Sequence, residues 1–117
     1  IKNEQAVLRR FEEQAGSPDY AMQLHVLRLG KVALAFNPFE LFLDYGQRIK
    51  ARSCAEQTFV VQLANGVGGY LPTARAEQLG GYGGLVINGQ VGSEGGDKLV
   101  EATTALINQL FAKAPNK

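Results

Sequence analysis

Apolar residues recur at helical spacing near the start of the chain. Val7, Leu8 and Phe11 lie among charged neighbours, and the pattern predicts a helix over Asn3–Gln14. Gly16-Ser17-Pro18-Asp19 breaks it. Tyr20 to Leu29 is extended in character, with Met22, Leu24 and Val26 alternating with Gln23 and His25. The alternation slips at Leu27, as it would at a bulge or in a strand covered on both faces. Gly30-Lys31 reads as a turn and Val32–Phe36 as a buried strand, so the two runs predict a hairpin.

A helix is expected from Asn37-Pro38-Phe39-Glu40 to about Ala51, with Leu41, Tyr45 and Ile49 as its buried stripe. Asn37 takes the N-cap in this reading, Pro38 the first helical position and Glu40 the third, which is the spacing of a capping box. Thr58–Ala64 is rich in strand-forming residues, Asn65–Tyr70 is a glycine-rich loop, and Pro72–Leu79 reads as a short helix. Most of the 14 glycines fall between Gly66 and Gly96, so this stretch should be irregular and closely packed. Glu94–Phe111 is amphipathic, with Leu99, Thr103, Leu106, Ile107 and Leu110 on one face, and Ala112–Lys117 reads as a frayed tail. The order α-β-β-α-β-α-(β)-α predicts an α/β fold in which helices pack on a layered sheet.

Composition narrows the function classes. At 117 residues and 45% hydrophobic content, the chain can build one modest core. Charged residues make up 20% and the net charge is +1, which argues against a nucleic-acid partner. No apolar run approaches the ~20 residues of a transmembrane segment. Cys54 is the single cysteine, so no internal disulfide can form. The chain begins at Ile1 without signal-peptide character, and a processed or partial sequence is expected.

Two residues stand out as candidate chemistry. Glu40 follows a strand at the start of a helix, where α/β folds collect catalytic groups, although on local sequence alone capping is the stronger reading. Tyr70 ends the loop Asn65-Gly66-Val67-Gly68-Gly69, whose bland reading is a surface turn with a packed ring. The loop is no dinucleotide fingerprint, because Leu71 stands at the third glycine, and no Gly-Lys-Ser/Thr follows for a P-loop. His25 is the only histidine and reads as a solvated strand residue without a metal-binding neighbour. Nothing places it near Cys54 or a serine, so a nucleophile–base pair is not expected. Arg48, Lys50 and Arg52 suit a helix C-terminus. Tyr82 could line a pocket with Tyr70 or pack on the glycine-rich segment.

The succession Asn37-Pro38-Phe39-Glu40-Leu41-Phe42, Thr58-Phe59-Val60-Val61, Asn65 to Tyr70-Leu71-Pro72-Thr73, and Gly80-Gly81-Tyr82 resembles the neutral (non-lysosomal) ceramidase family. The resemblance covers Leu24 to Phe111 and is to the C-terminal part of that family's catalytic domain. It implies that residues 1–117 form one domain fragment. It also implies a zinc ion held by two histidines, a glutamate and a tyrosine, with Glu40 and Tyr70 as the last two. Both histidines would come from outside this chain, from the N-terminal half of the same protein or a partner chain. Asn65, Gly68, Gly69 and Tyr82 would shape the substrate pocket. The implied reaction is hydrolysis of an N-acyl sphingolipid or related lipid amide by a zinc-bound water, in a secreted or periplasmic protein.

Two positions depart from the family pattern. Phe39 replaces the usual glycine before the glutamate and would add bulk beside the metal. Gly83 replaces a common acidic residue. Both favour the alternative of a non-catalytic ceramidase-like component, serving as a binding or structural subunit of a larger assembly. A free-standing ligand-binding module using the glycine loop is a further alternative.

Overall fold

The computed structural model describes residues 2–112, and the tail from residue 113 onward lies outside them. Helix α1 (Lys2–Gln14) is followed by a hairpin of β1 (His25–Leu29) and β2 (Val32–Phe36). Gly30 in its turn adopts φ +60°, a conformation glycine enters without steric cost. Then come β3 (Glu40–Leu41), α2 (Leu43–Arg52), β4 (Gln57–Val61), β5 (Tyr70–Leu71), α3 (Ala74–Leu79) and α4 (Ser93–Ala112). Two 3-10 turns, Tyr82–Gly84 and Val86–Asn88, lie between α3 and α4.

The mixed α/β architecture is as expected. The main sheet has the order β1-β2-β4, with β1 antiparallel and β4 parallel to β2. Parallel neighbours need a crossover, and α2 supplies it. One sheet face packs on α2 and α4 through Ala33, Ala35, Tyr45, Ile49, Leu99, Val100 and Ile107. Alternation sends Leu27, Leu29, Val32, Leu34, Phe36, Phe59 and Val61 to the other face. Leu27, Leu29 and Phe59 are 53%, 64% and 50% exposed there. The slip at Leu27 is therefore not a bulge: the strand is apolar on both faces, and the described residues cover only one.

Four expectations are corrected. The helix does not start at Asn37. The Asn37 side-chain oxygen accepts from Phe39 N at 3.0 Å, while Glu40 N donates to Gly69 O at 2.9 Å and Phe42 N to Leu71 O at 3.4 Å. Those bonds draw Glu40-Leu41 into a parallel pair with β5 and delay the helix to Leu43, with Phe42 at its N-cap. Tyr20–Leu24 lies outside regular structure, so β1 is shorter than its apolar pattern. The bracketed strand before the last helix is replaced by the two 3-10 turns and one bridge, Gly69 to Gly89. Pro72 precedes α3, whose N-cap is Thr73, with Oγ1 accepting from Ala76 N at 3.2 Å.

Candidate metal centre

Glu40 and Tyr70 are direct register partners in the β3–β5 pair, and Leu41 faces Leu71. Side chains alternate along a strand, and Leu71 is fully buried, so Glu40 and Tyr70 occupy the opposite, partly exposed side. The facing Glu40 carboxylate, by hydrogen bonding to the phenol and by its negative charge, raises Tyr70 above its ordinary pKa of 10. The site lies beyond the C-terminal ends of the parallel strands β2 and β4, where open α/β sheets place ligands.

The glycine loop is built for close approach. Gly69 has φ +70°, and a Cβ on it would lie 2.6 Å from Asn88 O, so only glycine fits. Gly68 lies against the Phe39 ring, and any Cβ there would overlap Phe39 Cδ1. Phe39 is 2% exposed, with its ring 5.7 Å from that of Tyr20. It borders a cavity of about 760 Å³ with Met22, Leu24 and Leu99. The bulk expected beside the metal is thus absorbed on the core side, away from the partly exposed Glu40.

Tyr82 stands edge-on to Tyr70, with ring centroids 5.8 Å apart at 81°. It is 70% exposed and forms an outer wall to the phenol. At Gly83 a Cβ would approach Phe42 Cε1 to 2.8 Å and Tyr70 Cδ1 to 3.2 Å, so Phe42 and Tyr70 fill the space an acidic side chain would need. Asn65 sits elsewhere, in a left-handed turn at φ 59°, bordering a shallow cavity with Tyr20, Pro38 and Gly66. His25 is exposed and its Nε2 pairs with Gln23 Oε1 at 3.3 Å. Arg48 is not merely a solvated helix end, because it bridges to Asp97 of α4 at 2.7 Å.

Sequence reasoning missed Asn88 and Gly89. Asn88 Nδ2 donates to Tyr82 O at 2.7 Å, and Gly89 bridges Gly69. Neither position carries a periodic or capping signal that would have marked it.

The donor chemistry fits part of a zinc shell. Zinc takes carboxylate oxygen at about 2.0–2.2 Å and is usually four-coordinate, and a carboxylate beside a phenol offers two oxygen donors on one side of a strand pair. Among the described residues, no cluster of three or more His, Cys, Asp or Glu could hold a metal alone. No helix among them is long and apolar enough to cross a membrane. The chain matches no family model, and it has no significant counterpart among curated proteins or solved structures.

Proposed function

We propose that this chain is part of a zinc-dependent amidohydrolase resembling neutral ceramidase, with Glu40 and Tyr70 as two of the metal's ligands. The observation that carries the reading is the pairing itself. Two residues that match the family pattern, and are distant in sequence, meet as direct register partners on the same side of one strand pair. The uncovered apolar sheet face suits the proposed partner, a layer that brings the two histidines.

When bound, zinc supplies an acidified water and polarises the amide carbonyl. Glu40 anchors that charge from a strand whose backbone is fixed by the Gly69 carbonyl. Tyr70 would hold the metal through its phenol oxygen, and in its protonated form it would be placed to donate to the amide's carbonyl oxygen as negative charge builds there. The Tyr82 ring stands edge-on beside the phenol and borders one side of the site. The substrate class in this reading is an N-acyl lipid amide.

The test measures zinc content and amide hydrolysis in the chain assembled with its histidine-bearing partner. Wild type should hold one zinc. Glu40→Gln should lose most of it, and Tyr70→Phe should lower both affinity and turnover. Unchanged zinc and turnover in Glu40→Gln would remove the basis of the reading.

A further inference from the structure

We propose that Arg10 of α1 is a positioning residue for the Glu40–Tyr70 centre, acting by strapping down the Val86–Gly89 turn that backs the tyrosine loop. The inference rests on the reading of Glu40 and Tyr70 as metal ligands.

The guanidinium bridges two backbone carbonyls on that turn. Nη1 donates to Val86 O at 3.1 Å and Nη2 to Gly89 O at 2.7 Å. Apolar burial does not explain how α1 is held, because Leu8 and Phe11 are 63% and 74% exposed. The helix packs instead on the Val86–Asn88 turn that Arg10 grips. A planar fork with a full charge bonds two fixed carbonyls more strongly and directionally than a neutral donor or an ammonium does.

The gripped turn needs such a clamp. Gln78–Ser93 contains six glycines and no charged residue, so its backbone has much freedom to lose and no ion pair of its own. Its position passes directly to the site. Gly89 bridges Gly69, the residue before Tyr70. A Cβ on Gly89 would overlap Tyr70 O, so the two backbones are in close contact. Asn88 also holds the Tyr82 carbonyl, and the Tyr82 ring meets Tyr70 edge-on. A turn that drifts outward therefore takes both tyrosines with it.

The bland alternative is that Arg10 only docks α1. Arg10→Ala and Arg10→Lys separate the two in the assembled protein, through residue-resolved amide exchange without metal and zinc affinity by chelator competition. Arg10→Ala should speed exchange about tenfold at Val86–Gly89 and at Gly69–Leu71, with Leu99, Val100 and Ile107 unchanged. Zinc should bind about tenfold more weakly, the low end for residues that orient ligands. Arg10→Lys cannot fork and should fall between Ala and wild type. Unchanged exchange at Gly69–Leu71 would overturn the proposal, including when α1 detaches. So would faster exchange with unchanged zinc affinity, and full wild-type behaviour in Arg10→Lys would overturn the fork. If wild type binds no zinc, the metal reading fails, while exchange at Gly69–Leu71 still decides whether Arg10 positions the loop.

Discussion

The contact between Gly68 and Phe39 makes a quantitative prediction about why this chain tolerates a phenylalanine directly before its candidate ligand. Phe39 is 2% exposed, and the missing Cβ of Gly68 is the space its ring edge occupies. Gly68→Ala drives a methyl into Cδ1 and Cε1 of that ring. Overpacking the ring costs about 1–3 kcal/mol, and the lower backbone entropy of unfolded alanine returns about 0.4–1 kcal/mol. The net expectation is a loss of about 1–2 kcal/mol. Phe39→Leu removes the ring edge and keeps a branched side chain, so it should cost about 1–2 kcal/mol, well below the ~3–5 kcal/mol of full truncation.

The double variant decides the cause. If the two groups compete for one space, leucine gives way and the alanine methyl becomes nearly free. The double variant should then lose only about 1–2 kcal/mol, against the ~2–4 kcal/mol of simple addition. Equilibrium urea unfolding of all four proteins measures this, with a constant slope showing that the same two states are compared. Additivity within about 0.5 kcal/mol would refute the reasoning, because it would mean that the ring and the glycine do not share space.

Two other expectations concern the supports around the site. Burial, with Asp97 and Glu77 nearby, pushes the Tyr45 phenol up to about 12, while its hydroxyl donates to Pro72 O at 2.8 Å. A raised folded pKa means stability complete below the unfolded value near 10 and lost as pH climbs to about 12, by roughly 2–3 kcal/mol. Thermal melts between pH 8 and 12 should show this decline in wild type and a shallower one in Tyr45→Phe. Glu77 accepts from both Ser93 N and Ser93 Oγ at 2.7 Å, capping α4 from α3. Glu77→Ala should cost about 1 kcal/mol in urea unfolding, with the loss concentrated as faster amide exchange in the first turn of α4.

The long elements were legible in the sequence because one stripe of side chains decides each of them. Ala33 and Ala35 of β2 and the face of Leu99, Thr103 and Ile107 are buried as periodicity requires. Tyr45 and Ile49 are likewise the buried stripe of α2. What failed was the start of that helix. Asn37-Pro38 carries a proper cap signal, yet two backbone bonds to Gly69 and Leu71 outweigh it. Leu71 lies in a two-residue strand too short to show any period, and Gly69 just before it. The outer sheet face was half legible: Leu27 marked a second apolar side, and only the register shows how much of it the described residues leave uncovered.

The same failure explains why local reasoning undervalued the candidate site. Read by neighbours alone, Glu40 belonged to a helix cap and Tyr70 to a turn, and each assignment was self-consistent. Both assume that the segment's hydrogen bonds are made locally. The Asn37 side chain does act locally, but on Phe39, and it leaves the Glu40 amide for Gly69. Once that amide is paired across, parallel register sets Glu40 opposite Tyr70 and Leu41 opposite Leu71. Leucine's demand for burial then turns the polar pair outward. The carboxylate–phenol contact is thus a consequence of two backbone bonds and one buried leucine. A one-residue slip would bury the charge and expose the leucine, which is why so short a strand pair can hold its register.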